Sequence, residues 1–216
     1  HSFPTRRSSD LVSWPNSSGV RGGSDNSASG SSQHSDERCT PAGDCCQSID
    51  LVAGRPTYVA LGTVANKQGR VAGINLGGGY ATFAGVVGTA ITKVCDYGVA
   101  RTGLTEREAA AEGFDAVSAT IDATTTAGYM PNAESTTVKL VAERSTGRLL
   151  GGQIVGAASG AKRIDTVATA LHARMGVSDL IDLDLAYAPP FSPLWDPIQV
   201  AARKALAGLL GENAGD

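Results

Sequence analysis

Apolar and polar residues alternate along the second half of the chain in a way that predicts β-strands. The alternation covers 117–121 and 138–142, and a turn at 144–147 leads into a third apolar run at 149–155. A period of two residues is typical of half-buried strands, so the last two segments form an antiparallel hairpin. Within the third run, the Gly151–Gly152 pair predicts a bulge or a close approach by another part of the backbone.

An earlier hairpin is predicted by the run 86–94, which turns at 96–98 into a second strand at 99–101. Thr105 and Glu108 follow at the spacing of a capping box, in which each side chain satisfies a free backbone N–H of the other residue. This spacing predicts a short helix directly after the hairpin.

Helical periodicity appears in three further places. The segment Gly62–Gly73 carries Val64, Gln68 and Val71 on one side and predicts a helix that ends before the glycines 77–79. Another helix is predicted to close at Gly176, because apolar residues repeat at helical spacing before it: Ile164, Val167, Ala168, Leu171 and Met175.

The last predicted helix begins with Asp196 as N-cap and Pro197 at the first helical position. Antiparallel strands followed by segregated helices predict the α+β class.

The 27 glycines and 5% aromatic residues of the chain suggest that its backbone approaches something closely, and a bound cofactor is one candidate.

Composition separates residues 1–38 from the rest of the chain. Twelve of the first forty residues are Ser, and 16–36 has almost no apolar content, so we expect 1–38 to be disordered. The opening residues 1–11 also resemble a translated sequencing adaptor, and we expect this stretch to be an assembly artefact.

Charge and residue counts exclude several classes of function. Eighteen Lys and Arg residues against 21 Asp and Glu residues give a net charge of -3 without a basic run, so no nucleic-acid partner is expected. No apolar stretch long enough for a membrane span and no secretion signal is apparent, which predicts a cytoplasmic protein. Three His residues and the spacing of the cysteines predict no metal site. The cysteines are Cys39, Cys45, Cys46 and Cys95.

Two clusters could hold a ligand, although G-x-G-x-x-G, Walker and G-x-S-x-G motifs are absent from the sequence. Gly43 lets the backbone come close, and Asp44 offers two acceptor oxygens to a polyol; an Asp in a turn or cap is the alternative interpretation. The helix start at 61–70 presents free N–H groups and a positive dipole end. For this segment the alternative is an ordinary buried helix.

Several segments, taken in order, resemble the C-terminal part of the FAD-dependent pyridine nucleotide-disulfide oxidoreductases. Within that superfamily they are most similar to the CoA-disulfide reductase and NADH oxidase or peroxidase branch. The resemblance extends from about Pro41 to about Leu206. It rests on Asp44, Leu61–Gly73, Phe83–Val94, Ala100–Thr105 and Leu185–Pro197.

The resemblance implies a domain organisation. Family members have an FAD-binding domain with the redox cysteine, an inserted NAD(P)H domain, a return segment and a dimerisation domain. Residues 39–79 match the return segment of the FAD-binding domain and 80–212 the dimerisation domain, and we expect the first two parts to be missing from these 216 residues. Cys45 and Cys46 are therefore not the redox cysteine.

The resemblance also implies site residues. Asp44, with Gly43 before it, matches the position that binds the FAD ribityl chain, whereas Gly62, Thr63 and Ala65 match the helix start that faces the flavin. In the CoA-disulfide reductase branch, tyrosines reach across the dimer to the partner's disulfide site. Tyr129 and Tyr187 are the matching positions. The alternative for each is a half-buried tyrosine whose hydroxyl is exposed to solvent. We expect His172 to be a surface residue.

The implied function is that of the C-terminal portion of a homodimeric flavoenzyme. Hydride would pass from NAD(P)H through FAD to a small-molecule disulfide, oxygen or peroxide, and this chain alone is expected to be inactive. The alternative is a stand-alone α+β dimerisation or binding module without redox activity.

Overall fold

The computed structural model describes residues 41–211, and this part of the chain contains seven strands and six helices. The prediction of disorder for 1–38 lies outside it. The strands are β1 (Ser48–Ile49), β2 (Pro56–Thr57), β3 (Ala90–Val94), β4 (Tyr97–Gly103), β5 (Ala116–Thr124), β6 (Ser135–Glu143) and β7 (Leu149–Ala157). The helices are α1 (Gly62–Leu76), α2 (Glu106–Ala111), α3 (Ala158–Ala161), α4 (Ile164–Ala173), α5 (Val177–Ile181) and α6 (Pro197–Leu210).

Five strands form one antiparallel sheet in the order β3-β4-β7-β6-β5. Helices α3 and α4 pack against β4 and β7, and α6 packs against β5 and β6. The core lies between this sheet and the helices, where Leu140, Leu150, Ile154 and Ile198 are almost completely buried. The α+β class predicted from the alternating pattern is confirmed.

The glycine pair in β7 marks a close approach, and the irregular pairing lies directly beside it. Gly152 and Gly151 pair with Leu140 and Val141, and the register shifts at the next residue, Leu150. A Cβ on Gly151 would lie 2.1 Å from the carbonyl oxygen of Leu104, so only glycine fits there.

The first hairpin differs from its predicted boundaries. Val86 does not join β3, because its N–H and C=O bond to Ile49 and Leu51 instead, both at 2.8 Å. The strand therefore begins at Ala90. The turn consists of Cys95 and Asp96, since Val94 already pairs with Tyr97.

The capping predictions are confirmed for α2 and α6, but the predicted end of α4 is wrong. Thr105 with Glu108 forms the capping box of α2, and Asp196 caps α6 with Pro197 in its first turn. Helix α4 stops at Ala173 because Arg174 adopts a left-handed conformation with φ of 57°. Gly176 is the N-cap of α5, whose Asp179 carboxylate accepts its N–H at 2.8 Å.

The N-terminal part of the described chain contributes α1 and the small β1-β2 sheet. Val52 belongs to the same core as the large sheet, and its carbonyl accepts a 3.0 Å hydrogen bond from Arg148. Helix α1 ends before Gly77, as predicted. None of the helices in the described part of the chain has the length and apolarity that a bilayer crossing requires.

Candidate functional site

The loop around Asp44 packs against the first turns of α1, so the structure brings the two predicted ligand clusters together. Gly43 has a φ of 85°, and a Cβ at this position would lie 3.5 Å from the Cβ of Ala65. Its backbone N–H donates a 2.8 Å hydrogen bond to Oε1 of Gln68, which lies on the next turn of the same helix. Asp44 follows directly and is exposed.

The N-terminus of α1 has free hydrogen-bonding capacity. Its N-cap, Leu61, provides no side-chain hydrogen bond, and the first turn contains no acidic residue. Gly62 and Thr63 are exposed there. Val64 and Ala65 donate their N–H groups to the carbonyl of Leu61, at 2.9 and 3.0 Å. The N–H groups of Gly62 and Thr63 precede the first helical hydrogen bond, and the dipole makes this end positive. The loop that carries the exposed Asp44 thus packs against a donor-rich helix end. Such a combination suits a ligand with hydroxyl groups and an electron-rich ring edge.

Gln68 holds the loop of the candidate site, although sequence reasoning placed it only on the buried side of a helix. Its Oε1 accepts from the N–H of Gly43 and from the thiol of Cys46, and its Nε2 donates to Ser48 Oγ at 3.0 Å. Gln68 and Ser48 are both buried. A polar residue in the apolar stripe between Val64 and Val71 was the available signal, because a buried amide must find partners.

The thiol of Cys46 acts as a hydrogen-bond donor in this loop. Its Sγ lies 3.2 Å from the carbonyl oxygen of Gly43 and 3.1 Å from Oε1 of Gln68. Burial, reinforced by the neighbouring Cys45, raises the pKa of the Cys46 thiol. A raised pKa keeps the sulfur protonated, so Cys46 is poorly suited to act as a nucleophile. Within residues 41–211, no cluster of side chains is suited to hold a metal ion.

The two predicted tyrosines lie on segments that contact each other. Tyr129 is 77% exposed in the loop after β5, and Tyr187 is 50% exposed in the segment before α6. The N–H of Ala127 donates a 3.0 Å hydrogen bond to the carbonyl of Pro189, which joins the two segments close to both tyrosines. Both side chains are therefore available to a second molecule.

Two clefts flank α1 and the small sheet. A cavity of about 70 Å³ is bordered by Thr63 and Lys67 of α1 and by His172 of α4. His172 is exposed, as expected for a surface residue. A larger cavity of about 440 Å³ is bordered by charged residues that include Arg101 and Glu108.

Glu108 is already engaged by its neighbours. Burial alone raises the pKa of this carboxyl, but hydrogen bonds from Arg101 and from Thr105 outweigh burial and lower the pKa to about 2. Arg101 donates from both terminal nitrogens, at 3.1 and 2.6 Å. This network stabilises the start of α2 and leaves little freedom for proton transfer.

Comparison with known proteins identifies related sequences and folds. The sequence model of a family described as "Pyridine nucleotide-disulphide oxidoreductase, dimerisation domain" matches residues 89–197. The NAD(P)H coenzyme A polysulfide/persulfide reductase of Pyrococcus horikoshii is 44% identical over 171 residues, which are 79% of this chain and 38% of that protein. An NADH oxidase of Methanocaldococcus jannaschii is 35% identical over 167 residues, 77% of this chain and 37% of that protein.

The fold agrees with that of a solved relative. The structure of an NAD-dependent persulfide reductase from A. fulgidus superimposes with a TM-score of 0.77 and 42% sequence identity, covering 79% of this chain and 32% of that one. The chain thus spans less than two fifths of the length of each of these three relatives.

Proposed function

This chain belongs to the pyridine nucleotide-disulphide oxidoreductases, and from that premise we propose that it forms the flavin-contacting and dimer-forming portion of an NAD(P)H-dependent FAD enzyme. In this proposal 39–79 is the return segment of the FAD-binding domain and 80–212 the dimerisation domain. The family match at 89–197 lies inside the second range. A module without redox activity finds no support, because the relatives are named as oxidoreductases.

The proposed electron acceptor is a small sulfur compound such as a disulfide, polysulfide or persulfide. The relatives with 44% and 42% identity are both named for sulfur acceptors. The NADH oxidase is more distant, at 35% identity. Oxygen or peroxide is therefore the second candidate acceptor.

The residues at the start of α1 fit a flavin. Asp44 would accept hydrogen bonds from the hydroxyls of the ribityl chain, and the N–H groups of Gly62 and Thr63 would face the electron-rich edge of the ring system. Ala65 donates its N–H to the carbonyl of Leu61 at 3.0 Å and would contribute to the site only through its small side chain. Gly43 allows the loop to lie in this position, because its φ of 85° would be strained for a residue with a side chain. When bound, FAD supplies two-electron transfer between NAD(P)H and the acceptor.

Tyr129 and Tyr187 are the proposed catalytic residues. Each hydroxyl would donate a hydrogen bond or a proton to the sulfur leaving group in the active site of the partner subunit. This role requires a homodimer, and the presence of the family's dimerisation domain implies one. The exposure of both side chains and the contact between their segments support the proposal.

The single observation that carries the flavin proposal is the packing of the Gly43 loop against the uncapped start of α1. It is tested by joining residues 41–216 to the nucleotide-binding domains of the A. fulgidus reductase. The 216-residue chain, incubated with FAD and passed through gel filtration, should elute colourless, since it offers contacts only to the flavin half. The fusion should retain yellow FAD that NADH bleaches.

A matched pair of variants tests whether FAD binds at Asp44. Asp44→Asn in the fusion should raise the Kd for FAD by about 10-fold, because a neutral acceptor replaces a charge-assisted one. The same change at Asp184, which is also exposed, should leave the FAD content unchanged. A fusion that folds without binding flavin would contradict the proposal, as would stoichiometric flavin retained by the 216-residue chain.

A further inference from the structure

Arg163 connects three separate parts of the chain through one guanidinium group. Its Nε donates to Oδ2 of Asp196 at 2.9 Å, and its Nη2 donates to the carbonyls of Thr125 and Phe191 at 2.8 and 2.9 Å. These partners lie 33, 38 and 28 residues away along the chain. The three partners therefore meet at the guanidinium of Arg163 only because the tertiary fold brings them there.

The ion pair at the centre of this arrangement is shielded from water. The side chains of Arg163 and Asp196 are 16% and 13% exposed. Asp196 uses its other oxygen to cap α6 through the N–H of Ile198, at 2.9 Å, and Ser192 donates to Oδ2 at 3.3 Å. The position of Arg163 is thus fixed to the start of a helix.

Both carbonyls that Arg163 binds belong to tyrosine-bearing segments. Thr125 lies four residues before Tyr129, and Phe191 lies four residues after Tyr187. The backbone bond from Ala127 to Pro189 crosses between the same two segments. One charged group therefore holds the two tyrosine loops against each other, at points four residues away from each tyrosine.

We propose that Arg163 is a positioning residue that joins the Tyr129 and Tyr187 loops into one unit, so that both hydroxyls are presented together to the partner subunit. This inference rests on the proposed function of the two tyrosines. Arg163 itself touches neither tyrosine hydroxyl in its hydrogen bonds and acts through the backbone of their segments. A planar guanidinium suits this role, because it donates in several fixed directions at once.

The first test measures the loops in the 216-residue chain by hydrogen exchange. Arg163→Gln should accelerate exchange at the N–H groups of Ala127, Phe191 and Ser192 by about 10-fold or more, because both segments lose a shared anchor. Arg144→Gln is the matched control, since Arg144 forms an exposed ion pair with Asp115. It should leave these N–H groups unchanged. Unchanged exchange in either loop of the Arg163 variant would overturn the inference.

The second test uses the flavoenzyme fusion and separates positioning from general stability. Arg163→Gln should lower kcat by about 10-fold to 100-fold, the effect expected for misplaced catalytic groups. The rate is measured at a protein concentration at which the FAD content and the dimer mass equal those of the wild-type fusion. In a Tyr129→Phe, Tyr187→Phe background the same substitution should have almost no further effect on kcat. Such non-additivity is the signature of residues that act as a unit.

The outcomes distinguish the inference from the function on which it rests. Wild-type turnover in the double tyrosine variant would overturn the role of the tyrosines and the inference with it. A slow double tyrosine variant whose kcat falls equally again on adding Arg163→Gln would overturn the inference alone. Should Arg163→Gln fail to fold, Asp196→Asn replaces it, because Asn still caps a helix but binds Arg163 more weakly. The changes in hydrogen exchange and in kcat should then follow the same pattern and be smaller.

Discussion

The backbone N–H of Gly43 donates a 2.8 Å hydrogen bond to the side-chain oxygen of Gln68. This bond fixes the loop that carries Asp44 over the start of α1, although the two residues are 25 positions apart in the chain. The amide of Gln68 also binds Ser48 and accepts from Cys46. A single buried side chain therefore sets the position of the proposed flavin contacts.

Replacing this amide should destabilise the protein. Gln68→Met keeps a similar volume but leaves the N–H of Gly43 and the hydroxyl of Ser48 without their partner, so the free energy of unfolding should fall by about 1–3 kcal/mol. Urea denaturation of the 216-residue chain measures it. Gln47→Met, at an exposed position, should change stability by less than about 0.5 kcal/mol. Equal stabilities for the two variants would show that the Gln68 bonds contribute nothing.

The apolar segment before α6 should form part of the dimer interface. Phe191, Leu194 and Trp195 lie within five residues and are 77%, 71% and 46% exposed, and a cluster of exposed apolar side chains marks an association surface. Leu194→Asp should raise the dimer Kd by about 100-fold or more, because it places an unpaired carboxylate in the interface. Light scattering over a micromolar concentration series measures the shift.

Leu76→Asp provides the control for the dimer experiment. Leu76 is also 71% exposed but lies at the end of α1, outside the proposed dimerisation domain. This variant should keep the wild-type mass. A well-folded wild-type monomer at micromolar concentration would refute the dimer, and equal effects of the two variants would refute this location of the interface.

Loss of the two tyrosine hydroxyls should slow the flavoenzyme fusion without unfolding it. Removal of one transition-state hydrogen-bond donor typically costs about 10² to 10³ in rate, and an exposed donor costs less, so Tyr129→Phe and Tyr187→Phe should each lower kcat by about 10-fold to 100-fold. Stopped-flow measurement of acceptor reduction checks this. Tyr80→Phe, at an exposed tyrosine, should keep the wild-type rate. Unchanged kcat in the double variant would assign both tyrosines a structural role only.

The Glu108 network should make stability depend on pH in the acid range. The pKa of Glu108 is lowered from 4.5 to about 2 in the folded protein, so its stabilising effect is complete above about pH 4.5 and disappears as the pH falls towards 2. Glu108→Gln should therefore be less stable than wild type at pH 7. The gap, defined as the difference in free energy of unfolding between the two proteins, should close below pH 4.5. Urea denaturation at several pH values measures the gap.

Arg101→Met supplies the partner variant for the Glu108 experiment. Arg101 donates two of the hydrogen bonds that lower the pKa. In the Arg101→Met background, Glu108→Gln should lower the free energy of unfolding at pH 7 by less than it does in the wild-type protein. A gap between wild type and Glu108→Gln that stays constant from pH 7 to pH 3 would contradict the assignment.

The sequence by itself determined the features that depend on neighbours within a few residues. The capping box of Thr105 and Glu108, the cap formed by Asp196 and Pro197, and the strands β5 and β6 all appear in the structure as predicted. These features are local because the donors, acceptors and faces that create them lie within about one helical turn or along one strand. The family resemblance, carried by longer motifs, also identified the dimerisation fold.

Only the tertiary structure decided where distant segments meet. Val86 has an apolar neighbourhood suited to a strand, yet it pairs with Ile49 and Leu51 because the small sheet lies beside it. The chain after α4 is held by the turn between β6 and β7, because the N–H of Leu149 donates to the carbonyl of Met175 at 3.1 Å and the N–H of Val177 donates to that of Gly147 at 2.9 Å. Gly176 therefore serves α5 instead of α4. In each case the local pattern allowed two conformations, and hydrogen bonds to another element selected one of them.

The same reason explains why Gln68 and Arg163 could not be assigned from the chain. Their partners lie 20 to 38 residues away, and no spacing rule reaches so far. The sequence showed only a polar residue on an apolar helix face and an arginine ahead of α4. Their contacts exist because folding buries polar groups that must then find hydrogen-bond partners, and the packing of loops against helices determines which partners are within reach.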